Sequence, residues 1–154
     1  MSSLDISTSL PTEITLTRTF DAPKRLVIEA MLNPELVKRW LGGKRAQVLS
    51  AELDRRVGGQ YRWVFKPHGD HPVFQFSGVI KELSEDRVVM TEKMDDLPSE
   101  SLVTTTYVEA NGVTTMTVTM KFETQEIRDM VAGTGMADGA GEAYDSLAAL
   151  VASM

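Results

Sequence analysis

Residues 54–65 read Asp-Arg-Arg-Val-Gly-Gly-Gln-Tyr-Arg-Trp-Val-Phe, and this stretch decides how the rest of the chain is interpreted. The paired glycines at 58 and 59 separate two strand-like runs. In the second run aromatic residues alternate with Arg and Val, so the rings of Tyr61, Trp63 and Phe65 share one face of a strand. The stretch therefore predicts an antiparallel sheet with a wall of aromatic side chains.

The chain before this stretch predicts one strand and two short helices. From Glu13 to Phe20 every second residue is a threonine, apart from the first, which is the period of a half-buried strand. Asp21 is placed to cap a helix whose first turn contains Pro23. The pair Asn33-Pro34 repeats this start signal for a second helix, and Gly42-Gly43 ends it.

The chain after this stretch predicts strands and then a long helix. From Arg45 to Phe122 strands and turns alternate without a helical period, which fits six strands in a meander. Asn111-Gly112 is the strongest hairpin signal, because both residues tolerate the positive φ angles of a tight turn. Thr124 can cap the final helix, in which four glycines predict a break or a close backbone approach. We expect a kink near Gly133 to Gly135 and a continuous helix from about Met136.

Composition excludes several classes of function. The length of 154 residues fits one domain, and we expect a flexible tail over residues 1–11 and a single domain over 12–154. A net charge of −6 without a basic stripe argues against nucleic acid as a partner. The absence of cysteine excludes disulfides, thiolate catalysis and sulfur-ligated metals. Without a signal-peptide pattern or a run of about 20 apolar residues, we expect a cytoplasmic protein with no membrane partner.

The element order and five short motifs resemble the START-like helix-grip superfamily, also called SRPBCC. The similar branch is that of the C-terminal domain of the activator of heat-shock-protein-90 ATPase. The resemblance covers about Thr12 to Val151, and the motifs are Arg18 to Pro23, Asn33 to Glu35 with Trp40, Asp54 to Gly59, Gly78 to Glu82, and Gly139 with Asp145 and Leu147. It implies an α+β fold in which a curved seven-stranded antiparallel sheet surrounds a long C-terminal helix. Two short helices would lie between strands one and two, and a cavity between sheet and helix.

The resemblance also implies what the cavity does. Members of this superfamily bind apolar or aromatic small molecules, and some cyclise polyketides. We therefore expect a protein that binds a small hydrophobic molecule without a cofactor, rather than an enzyme. A cyclase or aromatase that uses the same cavity is the second interpretation, and a chaperone-interacting module is the third. A homodimer through an exposed strand edge or a helix is compatible with so small a domain.

Two positions of the final helix depart from the family pattern. Where relatives commonly carry tryptophan and then leucine, this chain has Ala140 and Tyr144. A methyl group in place of an indole empties space above the sheet, and the tyrosine hydroxyl adds a polar point. We expect a larger or differently shaped cavity than the family pattern would give.

Seven residues are candidates for ligand binding because the predicted elements turn them towards the cavity: Trp40, Tyr61, Trp63, Phe76, Tyr107, Met120 and Tyr144. Mainly apolar walls with few polar anchors are typical of small-molecule sites. For any one of these residues, ordinary core packing is the alternative. We expect Trp63 and Phe76 to stack on the ligand, Tyr107 and Tyr144 to orient it by hydrogen bonds, and Met120 to adapt to its outline.

Three charged residues, Arg18, Glu82 and Glu92, fall on apolar strand faces if the alternation is strict, and an inward charge needs a partner. Arg18 could meet a ligand carboxylate; a carboxylate at the sheet rim, or a bulge that turns Arg18 outward, is the alternative. We regard Arg18 and Glu92 as possible polar anchors. In the enzyme interpretation Glu92 or a tyrosine would move protons.

The remaining motifs carry little chemistry. His68, Asp70 and His71 form a nominal metal-ligand group, but a Pro/Gly-rich hairpin tip without a third histidine or a cysteine favours an exposed loop. The chain has no glycine-flanked serine elbow and no phosphate-binding loop. We predict no catalytic serine, no metal and no cofactor.

Overall fold

The computed structural model describes residues 4–95 and 97–154. The described part contains eight strands and four helices. The strands are β1 (Asp5–Ser7), β2 (Glu13–Phe20), β3 (Ala46–Leu53), β4 (Gln60–Pro67), β5 (Phe74–Leu83), β6 (Arg87–Met94), β7 (Ser101–Ala110) and β8 (Val113–Lys121). The helices are α1 (Lys24–Leu32), α2 (Pro34–Trp40), α3 (Gln125–Ala132) and α4 (Met136–Ala152).

The strands form one antiparallel sheet in the order β1-β2-β8-β7-β6-β5-β4-β3. The predicted number of seven strands is wrong, because β1 adds an eighth strand at one edge by placing Asp5 opposite Thr17. This strand lies within the predicted tail of residues 1–11, of which residues 1–3 lie outside the described part. Three residues are too few to give a periodic signal in the sequence.

The sheet curves around its inner face. Leu16 on β2 and Trp63 on β4 stand five strand positions apart, which would be about 24 Å in a flat sheet. Both nevertheless line the same cavity. Helix α4 packs against α1, α2 and β2 and closes the concave side, which is the helix-grip arrangement that the resemblance implies.

Side-chain caps explain where two of the helices begin. The Asn33 side chain accepts the Glu35 N–H at 3.0 Å, and Thr124 accepts the Ile127 N–H at 3.1 Å, as predicted. The predicted Asp21 cap is wrong, because α1 begins only after Pro23. A residue that precedes proline is disfavoured in the helical region, so the helix cannot start at position 22.

The backbone confirms the predicted hairpin turn at Asn111-Gly112 and the predicted break in the final helix. Asn111 and Gly112 have φ angles of 54° and 79°, and they form the tight turn between β7 and β8. The final helix breaks between Ala132 and Met136, where Gly135 has a φ of 80°. A Cβ atom added at Gly139 or Gly141 would have no heavy atom within 4 Å, so those later glycines do not mark a close backbone approach.

The interior has a filled part and a hollow part. We call the first the filled core; its side chains are at most 1% exposed and border no cavity, and they include Ile14, Phe20, Val27, Met116 and Leu147. We call the second the hollow core; it is the cavity that faces the first half of α4. Among the residues described, no helix is long and apolar enough to cross a membrane.

Candidate ligand-binding cavity

A cavity of about 610 Å³ lies between the inner face of the sheet and α4. Strands β2 to β8 contribute to its wall, together with all four helices. Two wall residues, Met130 and Arg45, have side chains about half exposed, so the cavity reaches the surface beside α3. The volume lies within the range of about 300–1,000 Å³ that is usual for small-molecule pockets.

Six of the seven candidate residues lie in the cavity wall: Trp40, Trp63, Phe76, Tyr107, Met120 and Tyr144. The prediction for Tyr61 is wrong, although it lies on the same face of β4 as Trp63. The Tyr61 hydroxyl donates a hydrogen bond to the Thr91 carbonyl oxygen at 2.7 Å, which holds the side chain within the sheet core. The alternation along β4 cannot reveal this hydrogen bond, because its acceptor lies on β6.

Two methionines of β6, Met90 and Met94, belong to the wall and were absent from the predicted set. The signal for them is present in the sequence, because Met90, Glu92 and Met94 alternate along β6. Phe65 and Phe74 also line the wall, and their rings stack with centroids 4.8 Å apart.

The space predicted beside Ala140 is present. Ala140 and Tyr144 both border the cavity, and so does Gly139, whose added Cβ atom would touch nothing within 4 Å. The Tyr144 ring lies 6.1 Å from the Trp40 ring, between centroids. The Trp40 indole is itself fixed, because its N–H donates to the Ala30 carbonyl oxygen at 2.8 Å.

Glu92 brings a carboxyl group into this mainly apolar wall. Within the described part of the chain its carboxyl has neither an ion-pair partner nor a hydrogen-bond donor. Burial raises the pKa of Glu92 to about 7. Burial, and then the charge of Glu92, also raise the pKa of Tyr144 above its usual value. The pKa of Tyr107 is raised as well, mainly by burial and to a smaller extent by the neighbouring Tyr144.

The backbone beside Glu92 is fixed by its neighbours. The Thr91 carbonyl oxygen accepts the Tyr61 hydroxyl, and the Thr91 hydroxyl oxygen accepts the Val79 N–H at 2.9 Å. A Cβ atom at Gly78 would lie 1.9 Å from the same carbonyl oxygen, so a glycine is required there. Tyr61, Gly78 and Thr91 therefore help to aim Glu92 into the cavity.

A family model for Activator of Hsp90 ATPase homolog 1-like protein matches residues 21–152. The chain belongs to this family. No curated protein matches it in sequence.

Solved structures share the fold of this family member. A protein from Rhodobacter sphaeroides superposes with a TM-score of 0.92 at 24% identity, over 99% of each chain. One from Nitrosomonas europaea gives 0.84 at 22% identity, over 94% of this chain and 97% of the other. One from Chromobacterium violaceum gives 0.76 at 26% identity, over 92% and 98%. Their likeness confirms the helix-grip architecture.

Arg18 does not lie in the cavity wall of this family member. The Arg18 guanidinium Nη1 lies 2.6 Å from Asp145 Oδ1 on α4, and its carbon lies 5.5 Å from the centre of the Phe20 ring. The prediction of Arg18 as an anchor in the cavity is therefore wrong. Its partner is a carboxylate, as in the alternative, but on α4 rather than on the sheet rim.

The other charged candidates lie at the surface. A register shift between Ile80 and Glu82 turns Glu82 outward, where it pairs with Arg87 at 3.1 Å. His68 and His71 are exposed in the β4–β5 loop. Within residues 4–95 and 97–154, no three His, Asp or Glu side chains are grouped to hold a metal ion.

Proposed function

We propose that this chain binds a small hydrophobic or aromatic molecule in the cavity between the sheet and α4. The observation that carries the proposal is the cavity itself, about 610 Å³ of space with a mainly apolar wall. Filled interiors are the rule in small domains, and voids this large are rare unless a ligand uses them. The family and its structural relatives are consistent with a binding role.

The polar groups of the wall support the same conclusion. The hydroxyls of Tyr107 and Tyr144 and the carboxyl of Glu92 have no hydrogen-bond partner among the described residues. A bound molecule with matching polar atoms would form hydrogen bonds with these groups, while Trp63 and Phe76 stack on its apolar body and Met120 adapts to its outline.

A thermal-shift screen with hydrophobic and aromatic metabolites tests the proposal. Binders should raise the melting temperature of the wild type and of Ala152→Trp, which adds the same indole at an exposed position of α4. They should not raise that of Ala140→Trp, in which the indole enters the cavity. Circular dichroism checks that both variants are folded. A screen without binders, or binders that stabilise Ala140→Trp equally, would contradict the proposal.

A cyclase or aromatase activity in the same cavity is the second candidate. It is favoured by Glu92, because a carboxyl group with a pKa of about 7 can both accept and donate a proton at neutral pH. Turnover assays on the molecules found by the screen distinguish the candidates. Product formation that Glu92→Gln abolishes would support an enzyme, and stabilisation without turnover would support a binder. A chaperone interaction rests on the family name alone, and we do not propose it.

A further inference from the structure

We propose that the cavity selects apolar molecules that carry a protonated amine, with the Glu92 carboxylate as their counter-ion. This inference rests on the proposed function, because it names the chemical class of the molecule that the same cavity would hold.

The charged side chains of the wall leave one group available for a ligand. Among the described residues they are Arg45, Glu92 and Asp95. Arg45 is paired with Glu142 at the mouth of the cavity. Asp95 is exposed and accepts the Gln75 N–H at 3.1 Å. Glu92 has no partner for its carboxyl within the described part of the chain, so it is the charge that a ligand inside the cavity would meet.

Among the wall residues that the structure describes, a ligand carboxylate would find no free cation. Two buried cations, Arg18 and Arg128, lie outside the wall and are paired with Asp145 and Asp129. A carboxylate would also place a second negative charge beside Glu92, which is unfavourable in a site removed from water. An ammonium group would instead form a charge-assisted hydrogen bond with Glu92, and such bonds are about twice as strong as neutral ones.

Two further features favour a cation. The rings of Trp63, Phe76, Tyr107 and Tyr144 line the cavity, and cations are attracted to the faces of aromatic rings. The net charge of −6 attracts cations towards the molecule and repels anions.

Glu92 is also a positioned group rather than a mobile one. The hydrogen bonds of Thr91 with Tyr61 and Val79 fix the adjacent backbone. Burial keeps Glu92 partly protonated near neutral pH. An ammonium group beside it would favour the ionised form, so binding of an amine should lower the pKa of Glu92.

Three probes that share a naphthalene ring test the inference: 2-naphthalenemethylamine, 2-naphthalenemethanol and 2-naphthoic acid. Calorimetric titration near neutral pH should give the wild type about tenfold or greater preference for the amine over the alcohol, with the acid weakest. Glu92→Gln should reduce this preference to about twofold or less while alcohol binding persists. Glu100→Gln removes the same charge from an exposed position, and it should retain the preference.

The outcomes separate the two proposals. Equal affinity for amine and alcohol in the wild type, or a preference that survives in Glu92→Gln, overturns the inference while alcohol binding leaves the proposed function intact. Failure of all three probes to bind overturns the proposed function and the inference together. A second measurement needs no variant: the Glu92 carboxyl carbon, followed by NMR in the wild type, should titrate at lower pH with the amine bound than without it. An unchanged titration would contradict the inference.

Discussion

Arg18 and Glu92 are two inward-facing charges on the same sheet, and the chain treats them differently. Arg18 on β2 is 4% exposed and pairs with Asp145 at 2.6 Å. Glu92 on β6 faces the cavity, and its carboxyl has no partner in the described part of the chain. Arg18, which lies outside the cavity, is therefore neutralised by an ion pair, whereas Glu92 faces open space without a partner among the described residues. This difference marks Glu92 as part of a site and Arg18 as part of the scaffold.

Helix α4 shows the same division along its length. Leu147, in its second half, is fully buried in the filled core. Met136, Gly139 and Ala140, in its first half, border the hollow core. We therefore expect the second half to provide most of the stability of the helix and the first half to provide the binding surface.

Leu147→Ala should have the largest effect on stability. It should lower the free energy of unfolding by about 3–4 kcal/mol, because a fully buried leucine leaves an unfilled void behind. Met136→Ala, on the same helix, should cost about 1 kcal/mol, because its side chain already borders open space. Urea denaturation measures both, and equal costs would contradict the division into filled and hollow parts.

Glu92→Gln should change how stability depends on pH. Folding raises the pKa of Glu92 from 4.5 to about 7, so between these values the folded state binds more protons than the unfolded state, and stability falls as pH rises. The variant should match the wild type below pH 4.5 and exceed it by about 1–3 kcal/mol above pH 7. Tyr61 and Tyr144, which interact with Glu92, stay neutral throughout because their own pKa values are raised.

Arg45 and Asp95 are the other charged groups of the wall among the described residues, and both are unchanged in Glu92→Gln. Urea denaturation of the wild type and Glu92→Gln across this pH range measures the difference. A difference that stays constant with pH would show that burial does not raise the pKa of Glu92.

Asp145→Asn should destabilise the fold without affecting the cavity. Removing the carboxylate leaves the buried guanidinium of Arg18 unpaired, at a cost of about 1–2 kcal/mol, reduced because Asp145 is itself exposed. Asp138→Asn is the control, since Asp138 is an exposed residue of α4 without an ion pair in the described part. Calorimetry with the naphthalene probes measures binding. A lower affinity in Asp145→Asn than in Asp138→Asn would mean that Arg18 belongs to the binding site.

Gly141→Ala should have the smallest effect, and a favourable one. The new methyl group would have no heavy atom within 4 Å, and alanine is preferred in a helix, so the free energy of unfolding should rise by about 0.5–1 kcal/mol. Gly78→Ala, by contrast, should destabilise, because its Cβ atom would collide with the Thr91 carbonyl oxygen. A loss of stability in Gly141→Ala would mean that the first half of α4 is more closely packed than we describe.

Local signals in the sequence were enough for most of the architecture. Alternation predicted β2 over its observed bounds, and Thr124 and Asn33 capped the helices that they were expected to cap. Alternation along β6 also turned Glu92 inward. Where the sequence misled, the cause was a contact that no local pattern contains. Arg18 meets Asp145 across 127 positions of the chain.

The cavity is the part that depends most on three-dimensional structure. The same alternation that placed Trp63 in the wall also placed Tyr61 there, but Tyr61 is hydrogen-bonded to Thr91 and does not border the cavity. The alanine at position 140, where relatives carry tryptophan, indicated empty space. It did not show where this space lies or which methionines surround it. Volume results from the packing of all the elements together, which periodicity along one element cannot supply.

The proposed binding site can be tested most directly with the methionine methyl groups. In protein labelled with ¹³C at these methyls, Met90, Met94 and Met120 report on the cavity wall, whereas Met116 reports on the filled core and Met154 on the surface. With 2-naphthalenemethanol present, we predict nuclear Overhauser effects from the ring protons to the first three methyls and none to the other two. Contacts confined to Met154, or no contacts at saturating probe, would contradict binding in the cavity.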